Sequence, residues 1–184
     1  MYKRQALEER LLFADLKVLD VGSWIAAPVA TTMLADYGAQ VIKIEAPDLG
    51  DGYRNFAEMP GTPDADTNYT WHMDNRNKRS ISLNLKSEAG RRILRQLAAE
   101  CDVYVTNLPQ PMRRQWRLTF DDLAALNPAM IYASLTAYGE KGPEGDREGF
   151  DLVAYWSRSG LMDLVHAPGA VSYTHLRAHE TDIN

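Results

Sequence analysis

The sequence predicts an α/β protein, with a parallel sheet carrying helices on both faces. Three observations lead there: short apolar runs recur along the chain, helical patterns separate them, and turn residues bound both. Residues 16–21 (LKVLDV) form an apolar run closed by Gly22 and read as the first strand. Pro28 suits the first position of a helix because its φ is fixed near the helical value. Val29, Ala30, Met33, Leu34 and Tyr37 follow at helical spacing and form the stripe expected to face the sheet, and Gly38 is the left-handed stop. Residues 40–44 (QVIKI) are the second strand, so 16–45 make one βαβ unit with parallel strands and a right-handed crossover.

Residues 46–70 break this rhythm with Pro47, Gly50, Gly52, Pro60, Gly61 and Pro63. Such a stretch is a binding loop or lid, with disorder as the alternative. A strand over 81–85 follows. Ser87 then caps a helix whose apolar face is Ala89, Ile93, Leu94, Leu97, Ala98 and Cys101. Arg91, Arg92 and Arg95 fall on the other, solvated face, and Cys101 reads as core and not as a nucleophile. A strand over 103–106 comes next. Thr119 caps a helix ended by Asn127 and Pro128, and 130–135 (MIYASL) is another strand. A Gly/Pro-rich turn over 138–149 leads to a helix over 150–164.

Composition narrows the classes. The chain has 184 residues, 45% apolar and 24% charged, with a formal charge of −5. That is ordinary for a globular protein and lacks the basic surplus of a nucleic-acid binder. No apolar run approaches the roughly 20 residues of a membrane span. The first ten residues (MYKRQALEER) are charged and carry no secretory core, and Cys101 has no second cysteine to pair with. A cytoplasmic location follows as the expectation. Residues 171–181 (VSYTHLRAHET) look like the in-frame translation of a transposase-type sequencing adapter, a reading preferred to a genuine polar tail. The same tail holds His175 and His179 at i, i+4. With no carboxylate or cysteine arranged around them they are discounted as metal ligands, and no metal is expected. The chain therefore divides into 1–170 and an artefactual 171–184.

Doubly wound sheets bind ligands where strand ends meet helix starts. The first such junction is residues 22–28 (GSWIAAP), whose small side chains let a ligand approach the backbone. The G-x-G-x-x-G fingerprint is absent, and Glu45 alone is a weak ribose ligand, so a nicotinamide or flavin enzyme is disfavoured. Residues 74–86 (DNRNKRSISLNLK) cluster Arg76, Lys78, Arg79 and Lys86 in an acidic chain, which invites a phosphate-bearing ligand. A merely solvated turn is the alternative.

Six segments in order carry a family resemblance: VLDVGSWIAAP, LADYGAQVIKIEAPDLGD, NRNKRSISLNL, DVYVTN, LNPAMIYASLTAYGEKGP and GFDLVAYWSRSGLM. Over about residues 14–168 the chain resembles the N-terminal part of the family III CoA-transferases, the CaiB/BaiF type. The last segment is most similar to members from anaerobes that act on 2-hydroxy or aryl acids. The resemblance implies a Rossmann-like large domain built from both chain ends, a second small domain, and two subunits interlocked as a homodimer. It implies no resident cofactor, with coenzyme A entering as substrate, and as partners an acyl-CoA and a carboxylic acid. It places CoA contacts at Ser23 and Ala26 after the first strand, at Leu83 and Lys86 in the third, at Asn107, and at Arg114 or its neighbour Gln115. Arg79 and Lys86 would supply charge for the CoA phosphates. Some members carry other residues where Ser23, Ile25 and Ala46 stand.

The implied reaction runs through an enzyme aspartate that attacks the thioester, forms a mixed anhydride, and then carries CoA as an aspartyl thioester. That aspartate stands on a Gly-Asp or Ala-Asp motif beyond Ala170, so this chain is expected to be inactive. Asp151 and Asp163 do not match it, and Asp151 is expected to cap or bridge near its helix start. Two alternatives stand beside the transferase. One is an acyl-CoA racemase of the same superfamily, disfavoured by Phe150 where racemases carry histidine. The other is a noncatalytic CoA-binding module.

Overall fold

The computed structural model describes residues 11–165. The tail over 171–184, with His175 and His179, lies outside them. The described chain falls into two compact units that divide after Leu135.

The first unit is built on a five-stranded parallel sheet in the order β3-β2-β1-β4-β5. Its strands are β1 (Lys17–Val21), β2 (Gln40–Glu45), β3 (Arg79–Ser82), β4 (Val103–Thr106) and β5 (Ile131–Ser134). This is the doubly wound arrangement, with the strand order reversing between β1 and β4. Two apolar layers explain it. Val18, Val41, Val103 and Val105 point to one face and pack on Ala27 and Ala35 of α1 (Ala26–Asp36). Leu19, Ile44 and Tyr104 point to the other, against Leu94 and Ala98 of α3 (Glu88–Glu100) and Leu123 of α5 (Phe120–Ala124). A sheet covered on both faces buries its strands on both sides: β4 is buried throughout and β1 at every position but Lys17, with Asp20 as its one buried charge.

Caps behave as the sequence indicates. The Ser87 hydroxyl accepts the Gly90 N–H at 3.1 Å, and Thr119 forms a reciprocal capping box with Asp122. Cys101 is buried in the second apolar layer, and its thiol is pushed up to about 11, first by burial and then by the Asp102 charge. It is a core residue with little nucleophilic character.

Several expectations are corrected. The buried stripe of α1 is Ala27, Pro28, Thr31, Thr32 and Ala35, whereas Met33 and Tyr37 are exposed. The helix is apolar almost all round, so hydropathy does not choose a face. Close approach to the sheet selects the small residues, and partners for the two hydroxyls make threonine acceptable there: Thr31 bonds Asp20, and Thr32 bonds the Asp74 carbonyl. Pro28 is the third helical residue, not the first. On α3, Ala89 and Ile93 are exposed and Gly90 is buried; a Cβ on Gly90 would stand 2.2 Å from the Asn84 carbonyl oxygen. Arg91 and Arg95 are not simply solvated. Both pair with Glu88, and Arg91 also donates to the carbonyls of Leu85 and Lys86 at 3.0 and 2.9 Å.

Two helices went unforeseen: α2 (Tyr69–Asn75) and α4 (Gln110–Trp116), each of seven residues. Part of the irregular 46–70 stretch is a 3₁₀ helix over Gly52–Glu58.

In the second unit, Glu144 pairs with Arg147 and Arg158, whose guanidiniums both lie over the Tyr138 ring. The single helix expected over 150–164 is instead a π-helix (Leu152–Ser157) and a short α6 (Leu161–Leu164). Gly160, at φ 77°, interrupts them. Asp151 precedes the π-helix but its side chain caps nothing.

Candidate functional site

The carboxyl ends of the strands open a groove of about 440 Å³ at the point where the strand order reverses. Val21 at the end of β1, Gly22 after it, and Ile44 and Glu45 at the end of β2 form its base. The stretch over 46–52 makes one wall, and 83–86 with Leu108 and Trp116 makes the other.

Three of the residues expected to contact CoA line this groove: Ser23, Leu83 and Lys86. Leu83 is buried and Lys86 is exposed at the edge. Neither belongs to a strand. β3 ends at Ser82, one further bond runs from the Leu83 N–H to the Glu45 carbonyl, and the chain then turns. Asn84 makes that turn by accepting the Lys86 N–H on its side-chain oxygen at 3.0 Å. Asn107 sits behind Ser23. Its side-chain oxygen accepts the Ser23 N–H at 2.9 Å and its amide donates to the Ser23 carbonyl at 2.8 Å.

The other three lie elsewhere. Ala26 is exposed on the first turn of α1 and is not among the residues that line the groove. Arg79 begins β3, about 10 Å from the strand's groove end at a typical rise per residue. Arg114 is exposed on α4 and bonds Gln110. Its neighbour Gln115 lines a second depression of about 530 Å³, and Trp116 lines both. The cationic turn is dispersed as well. Arg76 pairs with Asp36, and Lys78 is buried against Asp20 at 2.9 Å, which leaves Lys86 as the groove's cation from that cluster.

Trp24 falls in a segment named from sequence as a ligand junction, and Asp51 and Gly52 in one named as a binding loop, but neither these three nor Trp116 were singled out as groove residues. Trp116 was hidden because α4 was unforeseen, although Pro109 and Pro111 signal a helix start. Trp24, Asp51 and Gly52 lie in segments without periodicity. Trp24 takes a left-handed φ of 63°, and its indole packs over Gly52, where a Cβ would have 3.3 Å to the ring.

Glu45 is unsuited to hold a ribose. Arg54 grips it with two bonds of 2.6 and 2.7 Å while stacking 3.7 Å from the Trp71 ring centre, and Ser80 and the Asp51 N–H take further lone pairs. Burial pushes the Glu45 carboxyl up, but these hydrogen bonds and the Arg54 charge outweigh it and hold it at about 2. The folded value lies below the unfolded one of about 4.3, so this stabilisation is complete above that pH and is lost as pH falls toward 2. It is expected to amount to about 2–3 kcal/mol. Urea unfolding of wild type and Glu45→Gln from pH 6 to pH 2.5 should show the wild type losing more stability. Parallel curves would remove the bridge from the account.

Fold and groove together define an open parallel α/β protein with its ligand crevice at the strands' carboxyl ends. The model of CoA-transferase family III matches residues 13–177, and the chain belongs to that family. It is 40% identical over 161 residues to cinnamoyl-CoA:phenyllactate CoA-transferase of Clostridium sporogenes, covering 87% of this chain and 39% of that protein. It is 38% identical to (R)-2-hydroxy-4-methylpentanoate CoA-transferase of Clostridioides difficile, covering 86% of this chain and 40% of the relative. A CaiB/BaiF family protein from Brucella suis superposes with a TM-score of 0.78 at 33% identity, over 90% of this chain and 45% of that one. The chain thus spans about two fifths of the length of these curated relatives. Among the described residues, no helix is long and apolar enough to cross a membrane.

Proposed function

We propose that this chain provides the CoA seat of an enzyme that moves CoA from an acyl-CoA to a carboxylic acid. The observation that carries the reading is the groove itself, which gathers Ser23, Leu83 and Lys86, with Asn107 fixing the Ser23 backbone from behind. Lys86 offers charge to a phosphate, the turn over 22–24 offers close backbone approach, and Trp116 offers an aromatic face to a base. Arg79 begins β3 at the end away from the groove and is not among the residues that line it, so it is left out of this seat. CoA enters as substrate and no resident cofactor is invoked.

The chemistry is covalent catalysis by a carboxylate. An aspartate beyond Ala170 attacks the thioester carbonyl and expels CoA thiolate, leaving a mixed anhydride. The thiolate returns to the aspartyl carbonyl, releasing the first acid, and the second acid reverses the steps. We place the whole enzyme in the cytoplasm as an interlocked homodimer. The names of the two clostridial relatives support 2-hydroxy acids among its acceptors.

Calorimetric titration of CoA into the 184-residue chain tests the seat. Saturable binding is expected, weakened by about tenfold in Lys86→Glu and unchanged in Arg79→Glu. Absence of saturation at millimolar CoA, or equal losses in both variants, would overturn the assignment.

A further inference from the structure

We propose that Asp51, held in place by Lys43, is a positioning residue that sets the ligand-ready shape of the turn over 22–24. The inference rests on the groove being the CoA seat, and it concerns residues that do not themselves need to touch the ligand.

Three side chains from three different segments hold this turn's backbone besides Asp20. Asn107 brackets Ser23. The Lys43 ammonium donates to the Gly22 carbonyl at 3.0 Å. One Asp51 oxygen accepts both the Trp24 N–H and the Tyr53 N–H at 3.0 Å, and the other pairs with Lys43 at 2.8 Å. Asp51 is itself anchored, because its own N–H donates to Glu45 at 3.1 Å and Arg54 fixes Glu45. A single connected set of charges therefore runs from the rim of the sheet to the turn.

Two features require a purpose beyond packing. The Lys43 and Asp51 side chains are only 1% and 2% exposed. A buried ion pair of this kind adds little stability over well-packed apolar residues, so its value lies in the geometry it imposes. Trp24 holds a left-handed φ that a non-glycine residue resists, and it lines the groove. Capture of its N–H by Asp51 fixes that conformation and holds the indole over Gly52, so the groove wall is formed before a ligand arrives.

The test compares paired variants of the 184-residue chain, so that no buried charge is left alone. Lys43→Met with Asp51→Ala removes the clamp. It is expected to unfold cooperatively, to exchange the amides over 22–26 at least about tenfold faster than wild type, and to bind CoA about tenfold more weakly. Lys43→Met with Asp51→Asn keeps an oxygen for the Trp24 N–H and is expected to recover most of the affinity. Asp51→Glu keeps the ion pair and moves the acceptor by one methylene, so it supplies a folded variant if the first pair does not fold; it is expected to lose CoA affinity as well. Wild-type affinity in Asp51→Glu, or in the alanine pair, overturns the proposal. So does an asparagine pair no better than the alanine pair. If wild type itself fails to bind CoA, the reading of the groove falls, and the exchange rates over 22–26 then decide the positioning role alone.

Discussion

Asp20→Ala is expected to cost about 3–5 kcal/mol, a large fraction of the stability margin of a domain this size. Asp20 is a fully buried carboxylate in the central strand. It accepts the Gly22 N–H at 3.1 Å, the Thr31 hydroxyl at 2.8 Å and the Lys78 ammonium at 2.9 Å, and lies 3.9 Å from the Lys43 ammonium. Its removal takes the close carboxylate from the buried Lys78, whereas Lys43 keeps Asp51 at 2.8 Å, and it takes an anchor from the turn that opens the groove. Lys78 already feels the burden. Burial lowers its pKa, the Asp20 charge and hydrogen bond oppose that, and Lys43 adds to the lowering.

The sign of the pH effect follows. A lysine whose folded pKa lies below its unfolded value binds fewer protons in the native state. Stability therefore rises with pH on the way to the ordinary lysine value of about 10.4. Loss of Asp20 lowers the folded value further, so the variant is expected to gain more than wild type between pH 7 and pH 9.5. Urea unfolding at both pH values measures this, and Asp20→Ala with Lys78→Met should recover part of the loss. A single variant within about 1 kcal/mol of wild type would falsify the view that Asp20 neutralises Lys78.

The same cluster shows where sequence reading succeeds and where it stops. The strand and helix alternation was legible because β1 and β4 are short, mostly apolar runs and Ser87 and Thr119 are recognisable caps. The groove's position followed from topology alone. What stayed hidden was pairing across the fold. Lys78 looked like one member of a surface patch, but its partner Asp20 is 58 residues earlier in sequence. Glu45 looked available until Arg54 and Ser80 closed on it. On α1, near-uniform hydropathy gave no face, and the choice fell to the residues small enough to approach the sheet. α2 and α4 are too short for a period to show.

CoA transfer by the 184-residue chain is expected to lie at least about 10⁴-fold below that of the same sequence completed to the length of its relatives, even where CoA binding is equal. In the proposed function binding and chemistry separate, and the lining of the groove supports that division. A carboxylate nucleophile must have a lone pair to offer the thioester carbonyl. Glu45 and Asp51 line the groove, but Arg54, Ser80 and the Asp51 N–H hold the Glu45 oxygens, and Asp51 is buried, its charge paired with Lys43 and its other oxygen taken by two backbone N–H groups. Asp20 is sealed beneath the turn. Asp48, exposed on the groove's wall, is the remaining lining carboxylate among the described residues. Exchange of labelled CoA between an acyl-CoA and a panel of 2-hydroxy and dicarboxylic acids is the measurement. A hydroxylamine-trapped acyl-enzyme in the completed protein should map beyond Ala170, and replacing that aspartate with asparagine should abolish transfer while sparing CoA affinity. Transfer by the 184-residue chain, lost on Asp48→Asn, would move the nucleophile into the groove described above and refute the proposed division of labour.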